Sequence, residues 1–150
     1  MKTEKFKNFD DLAESWWDED GAMAPLHAMN PTRLAWIRGA IESHVPKAKT
    51  VLDVGCGAGL VCEPMARLGY KVTGIDMGEP LIAAAKAHAK QSDLSITYAV
   101  QDIHSYKKTF DVVLALEVLE HVDDPASFLA ACAARVKPGG ILITSTLNRT

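Results

Sequence analysis

Three glycines at alternate positions, Gly55, Gly57 and Gly59, follow an apolar run in VLDVGCGAGL (51–60), and a carboxylate, Asp53, stands two residues ahead of the first. Glycine costs more backbone entropy to order than any other residue. Three in five positions, where a strand should give way to a helix, therefore mark a place where the main chain must approach a ligand. Without Cβ atoms in the way, the N–H groups of such a loop can meet a ligand's polar groups. A tight strand-to-helix connection alone would need one glycine. The dinucleotide fingerprint G-x-G-x-x-G/A fits poorly: counted from Gly55 and Gly57 its third position is Leu60, and the third glycine comes one residue early. The carboxylate of Asp53 would repel a pyrophosphate and better suits a ligand with a cationic amino acid end.

Further chemistry-bearing residues follow apolar runs of the same kind. Asp76 closes KVTGID (71–76), 21 residues beyond Gly55. A carboxylate there can accept both hydroxyls of a ribose, an arrangement shared by NAD-binding and nucleoside-binding folds. Asp102, just after SITYAV (95–100), could take the exocyclic amine of an adenine while Ile103 packs on the ring, or it could simply serve a turn. In LEVLEHVDDP, Glu120 and His121 stand three and four residues after Glu117, so a helical turn beginning there would bring all three to one face. Two carboxylates and an imidazole could hold a divalent cation, with Mg²⁺ favoured by oxygen-rich ligation. His121 could instead be a general base, and the acids a solvated helix cap.

The elements that must position these residues alternate along the chain. Phe9, Leu12, Ala13, Trp16 and Trp17 fall at helical spacing, and Asn30-Pro31 predicts the start of a second helix with Leu34, Ile37, Ile41 and Val45 on one face. Strand-like TVLDV (50–54), KVTGID (71–76), SITYAV (95–100), FDVVLAL (110–116) and ILITST (141–146) are separated by helical stretches. These are a segment ended by Gly69, an alanine-rich one opened by Pro80, and Pro125–Val136 followed by a KPGG turn. Pro64 should kink its helix or delay the start. The order βαβαβ…βαβ predicts an α/β fold with a mostly parallel sheet, helices on both faces, and ligands at the carboxyl ends of the strands.

Composition narrows the classes. The 150 residues are 48% hydrophobic and 23% charged with a formal charge of −3, so a globular domain is expected and nucleic acid is not an expected partner. Three cysteines (Cys56, Cys62, Cys132) with no CxxC pair suit reduced thiols of the cytoplasm. No run approaches the roughly 18 apolar residues of a membrane helix, and the expected chain is soluble and unexported.

In this order and spacing, LDVGCGAG, GIDMGEP, FDVV, LEVLEHVDDP, VKPGG and STLNR resemble the class I S-adenosylmethionine-dependent methyltransferases, with their Rossmann-like fold. WWDEDG, PLHAMNPTRL and STLNR are more selectively similar to the ubiquinone-biosynthesis O-methyltransferase family, whose members methylate polyprenyl hydroxyphenols and demethylubiquinol. The resemblance runs from about Phe9 to the last residue. It implies that Arg33, Gly55, Asp76 and Leu116 contact S-adenosylmethionine; Asp53, Gly57, Met77 and Asp102 complete the expected cofactor set. It also implies that Glu117, Glu120 and His121 hold Mg²⁺, the alternative being His121 as a metal-free base. Implied partners are a lipophilic phenol or quinol and, at the inner membrane, a peripheral contact or a ubiquinone-biosynthesis complex.

The expected division is a helical cap on the substrate side (1–48) and a Rossmann-like core (49–150). Domains of this family continue through another helix and an antiparallel hairpin, so the chain is expected to be truncated after the fifth strand. Two further alternatives are a cofactor-binding fragment without turnover and a nicotinamide-dependent oxidoreductase, which Leu60 disfavours. His27 and the Trp16-Trp17 pair either line an acceptor pocket or are packing residues.

Overall fold

The computed structural model describes residues 12–146. Phe9, part of the expected first helical stripe, lies outside them. Within them β1 (Thr50–Val54), β2 (Lys71–Asp76), β3 (Thr97–Val100), β4 (Phe110–Leu116) and β5 (Val136–Ser145) form a parallel sheet in the order β3-β2-β1-β4-β5. The chain winds outward from β1 to β3, then returns to the other side of β1. The carboxyl ends of β1 and β4 thus meet at the topological switch point, where ligands of such sheets bind.

Strand alternation divides the core between two faces. Val51, Val72, Val112 and Leu114 pack with Ile37 and Ile41 of helix α1 (Ala24–His44), Met65 of α2 (Cys62–Arg67) and Ile82 of α3 (Glu79–Gln91). Leu52, Ile75, Val113 and Ala115 pack on the opposite face with Phe128 and Cys132 of α4 (Pro125–Ala133). A third cluster joins Ala13, Trp16 and Met23 of the N-terminal segment to Ala58, Leu60 and Leu81. No helix among the described residues is long and apolar enough to cross a membrane.

Three elements differ from expectation. The first stretch forms only a short 3-10 turn over Ala13–Ser15. Helix α1 starts at Ala24, with Pro25 in its opening turn and Pro31 inside it. Pro25 is the proline that sets the starting φ, while Pro31 lies on the exposed side. The KPGG stretch belongs to β5, where a register shift opposite Phe110 and Val112 absorbs it and Gly139 takes φ +82°. Two smaller shifts follow the same lines: β3 starts at Thr97, and α4 ends at Ala133. Pro64 does delay its helix: α2 begins only at Cys62, so the proline falls in the first turn, where its missing N–H has no helical partner.

The amino-terminal ends of β1 and β4 are joined by Asp111. Its Oδ2 accepts from the backbone N–H of Lys49 (2.8 Å) and Thr50 (3.0 Å) and from the Thr50 hydroxyl (3.2 Å). The Lys49 N–H in particular holds this carboxyl below its ordinary range. A depressed carboxyl stabilises the fold above the unfolded value and loses that contribution as pH falls through the folded one. Asp111→Ala should therefore cost about 1–2 kcal/mol at pH 7, with the gap from wild type closing below about pH 4; thermal melts across pH check both.

Candidate functional site

The glycine loop leaves β1 and folds back on the end of β2. The N–H groups of Gly55 and Cys56 both donate to the Ile75 carbonyl, at 2.8 and 3.0 Å. Gly57 N donates to Asp76 Oδ2 (2.9 Å), and Gly78 N to Asp76 Oδ1 (2.8 Å). Gly55 and Gly57 take φ of +73° and +56°, and a Cβ on them would lie 2.7 Å from Val118 Cγ2 and 2.8 Å from Trp16 Cζ2. Both conformation and space restrict these two positions to glycine.

Two adjoining cavities open over this loop at the switch point. The larger, about 460 Å³, is lined by Arg33, Asp53, Gly55, Gly57, Asp76, Leu116, Glu117, Glu120 and His121. The smaller, about 200 Å³, is lined by Met77, Asp102, Ile103 and Phe128. Gly55, Asp76, Val118 and His121 border both. The expected cofactor and metal residues are thus distributed along the two adjoining cavities, with Asp76 between them. Sequence reasoning missed most of the apolar wall of the larger cavity: Met23, Leu26, Met29, Leu60 and Val118. No residue type there announces a ligand, and the one signal was their nearness in sequence to Trp16, Asn30 and the glycines.

Strand and helix periodicities explain the charges. Asp53 shares the sheet face of Val51, which α1 covers, and Arg33 stands one and two helical repeats before Ile37 and Ile41 on the core-facing stripe of α1. Asp53 is 3% exposed, and burial pushes its carboxyl up to about 7 against the Cys62 thiol, which donates to it at 3.4 Å, and the Arg33 charge. Desolvation also lowers Arg33, while Asp53 and Glu117 hold it charged. Its Nη2 donates to Asn30 Oδ1 (2.8 Å), and Asn30 Nδ2 donates to the Leu60 carbonyl (2.9 Å). Asn30, expected as a helix cap, instead links α1 to the glycine loop. Buried Arg33 Nε and Glu117 Oε2 have no hydrogen-bond partner among the described residues, and both residues border the larger cavity.

The stretch after β4 departs from a helical turn at Glu117. That residue takes φ +55°, and the 3-10 turn covers Leu119–His121. Glu117 Oε1 accepts from the Ser145 hydroxyl and Glu120 Oε2 from the Thr146 hydroxyl, each at 2.9 Å. Among the described residues no group of three His, Cys, Asp or Glu side chains is placed to hold a metal ion, so Glu117, Glu120 and His121 line one cavity without converging. Asp102 serves its turn, accepting from His104 N at 2.9 Å, and also borders the smaller cavity. Trp16 lines the larger cavity, whereas Trp17 and His27 border neither.

A parallel sheet with a glycine loop and a strand-end aspartate at its switch point defines a Rossmann-like fold, and residues 52–144 match the family described as "Methyltransferase domain". The chain belongs to that family. It is 49% identical over 152 residues to the ubiquinone biosynthesis O-methyltransferase of Bradyrhizobium sp. (strain ORS 278), covering 94% of this chain and 60% of the relative. It is 49% identical over 149 residues to the protein of the same name from Coxiella burnetii (strain Dugway 5J108-111), covering 97% and 62%. The chain therefore spans about three fifths of these relatives' length. The magnesium protoporphyrin IX methyltransferase of Synechocystis PCC 6803, solved with bound SAM, shares the fold with a TM-score of 0.74 at 22% identity, over 90% of this chain and 71% of that one.

The raised carboxyl of Asp53 has a measurable sign. Between about pH 4 and 7 the folded state keeps a proton there that the unfolded chain has lost, so stability should fall as pH rises through that window, by up to about 1.4 kcal/mol per unit. Asp53→Asn should flatten this slope, and its melting temperature should overtake wild type near pH 8. Parallel pH profiles for the two proteins would refute the assignment.

Proposed function

We propose that this chain binds S-adenosylmethionine and serves the O-methylation of a polyprenyl hydroxyphenol or demethylubiquinol in ubiquinone biosynthesis. The observation that carries the cofactor assignment is Asp76 at the waist between two cavities, one edged by Asp102 and Ile103, the other by Arg33 and Glu117. A nucleoside with an amino acid arm has this shape and order of polar groups. The residues fit it: Gly55 and Gly57 let Val118 and Trp16 close on the loop, and Arg33 Nε and Glu117 Oε2, unpartnered among the described residues, border the end that would receive the amino acid. The relatives' shared name supports the substrate class.

When bound, S-adenosylmethionine supplies an electrophilic methyl group on sulfur. The chain's own part is placement and exclusion of water. Arg33 pairs with the carboxylate of the amino acid arm, Asp53 and Glu117 balance its ammonium, and Asp76 accepts from the ribose hydroxyls. Asp102 accepts from the adenine amine, Ile103 packs on the ring, and Leu116 closes over the sulfur. Met77 flanks the ribose side. The apolar wall from Met23 to Met29 belongs to the 1–48 segment, which serves as the cap on the acceptor side. A phenol, with a pKa near ~10, must lose its proton to attack, and His121, which borders both cavities, takes it. Glu117, Glu120 and His121 form an oxygen-rich set of the kind Mg²⁺ takes, but in this arrangement they do not converge, and no step is assigned to a metal. The lipophilic acceptor places the reaction at the surface of a membrane, with the protein in peripheral contact.

Calorimetry with S-adenosylhomocysteine and with NADH tests the cofactor, and binding of the first alone is the expected result. Asp76→Ala should weaken it at least tenfold, because charge-assisted bonds contribute about 1.5–3 kcal/mol each; unchanged affinity in a folded variant would remove Asp76 from the site. A methyl-transfer assay on a hydroxylated polyprenyl phenol tests the acceptor. There, His121→Ala should abolish turnover, and wild-type indifference to EDTA would keep His121 as the base. Loss on EDTA with recovery on Mg²⁺ would assign the three residues to a metal instead.

A further inference from the structure

Glu63, the second residue of α2, is fully buried yet borders neither cavity. Isolated burial of a carboxylate is costly, so its partners merit tracing. Arg67 Nη2 reaches Oε1 only at 3.4 Å from an exposed position, whereas His88 Nδ1 of α3 donates to Oε2 at 2.6 Å. A short bond from one ring nitrogen to a fixed carboxylate sets the plane of the imidazole. On that plane lies the indole of Trp17, with ring centroids 3.6 Å apart and the rings 2° from parallel. The indole N–H of Trp17 then donates to the Ala58 carbonyl inside the glycine loop at 2.8 Å. The adjacent Trp16, 6% exposed, covers Gly57 and lines the larger cavity, and its carbonyl accepts from His27 Nε2 at 2.9 Å.

These contacts form a closed path from α2 through α3 to the N-terminal segment and back to the glycine loop. We propose that His88, outside both cavities, is a positioning residue. Held by Glu63, it presents a flat surface that seats Trp17 and thereby fixes Trp16 as the wall of the cofactor cavity. The stack is the element that acts on the site, and the buried carboxylate only orients the ring. The inference rests on the reading that the larger cavity takes part of S-adenosylmethionine, and its test separates the two.

His88→Gln keeps a donor for Glu63 but removes the ring. A double variant, Glu63→Leu with His88→Phe, removes the buried polar pair as a unit, which can be nearly neutral for stability, and keeps a ring for Trp17. Two measurements apply to the intact chain: affinity for S-adenosylhomocysteine, and the rate of chymotryptic cleavage after Trp16 or Trp17. His88→Gln should bind about three- to tenfold more weakly, the range expected of one aromatic stack, and be cleaved faster. The double variant should bind within about twofold of wild type and resist cleavage as wild type does.

Wild-type affinity in His88→Gln would overturn the inference, whether or not cleavage accelerates. So would a double variant as weak as His88→Gln, since loss would then follow the buried pair and not the stack. Failure of wild type itself to bind S-adenosylhomocysteine would remove the cofactor assignment, and the cleavage rates alone would then decide whether His88 seats the tryptophans.

Discussion

Two backbone hydrogen bonds accepted by Asp76 hold the glycine loop and the turn into α3 together. At the end of β2, one carboxylate oxygen takes the Gly57 N–H and the other takes the Gly78 N–H. The first bond fixes the loop that follows β1, and the second fixes the turn into α3, so a single side chain sets the mutual placement of two strand-to-helix connections. A carboxylate is suited to this because it accepts only; a side chain with a donor would meet an N–H with another hydrogen.

The same economy of position governs the buried charges. Arg33, Asp53 and Glu117 arise from three elements that meet only because β1 and β4 are adjacent and α1 crosses their shared face. Among the described residues none has a full complement of partners: Arg33 Nε and Glu117 Oε2 are unpartnered, and Asp53 receives a weak thiol donor. Charged groups held this way are expensive for the fold. They suit the proposed ligand, whose amino acid end carries both signs, and burial that the Cys62 thiol and Arg33 only partly offset raises the Asp53 carboxyl.

Much of the fold was legible because strand alternation and glycine or proline punctuation are local signals. The bounds of β1, β2 and β4 follow directly from TVLDV, KVTGID and FDVVLAL. What misled were signals with two local meanings. Asn30-Pro31 has the form of a helix start, but Pro25 supplies another, and Asn30 is committed to a long-range bond with Leu60. KPGG has the form of a turn, yet pairing with β4 keeps it in the sheet as an irregularity. Glu117, Glu120 and His121 share a face only if a helical turn begins at Glu117, and the positive φ there moves the turn two residues on. Tertiary pairing decided each case, and spacing along one chain carries no record of it.

The site's remaining walls were illegible for a different reason. Leu60, Val61 and Leu81 belong to the core fold, but Trp16, Met23, Leu26 and Met29 come from a segment preceding the first strand. An open parallel sheet offers a crevice with a polar floor of main-chain groups and no roof, and a ligand seated there would keep one side in water. Apolar residues brought over from outside the sheet supply the roof, lower the local dielectric, and strengthen the interactions of Arg33, Asp53 and Asp76 beneath. In the proposed function the sheet therefore defines where the ligand lies, and the segment before it governs how well water is excluded from the reacting end.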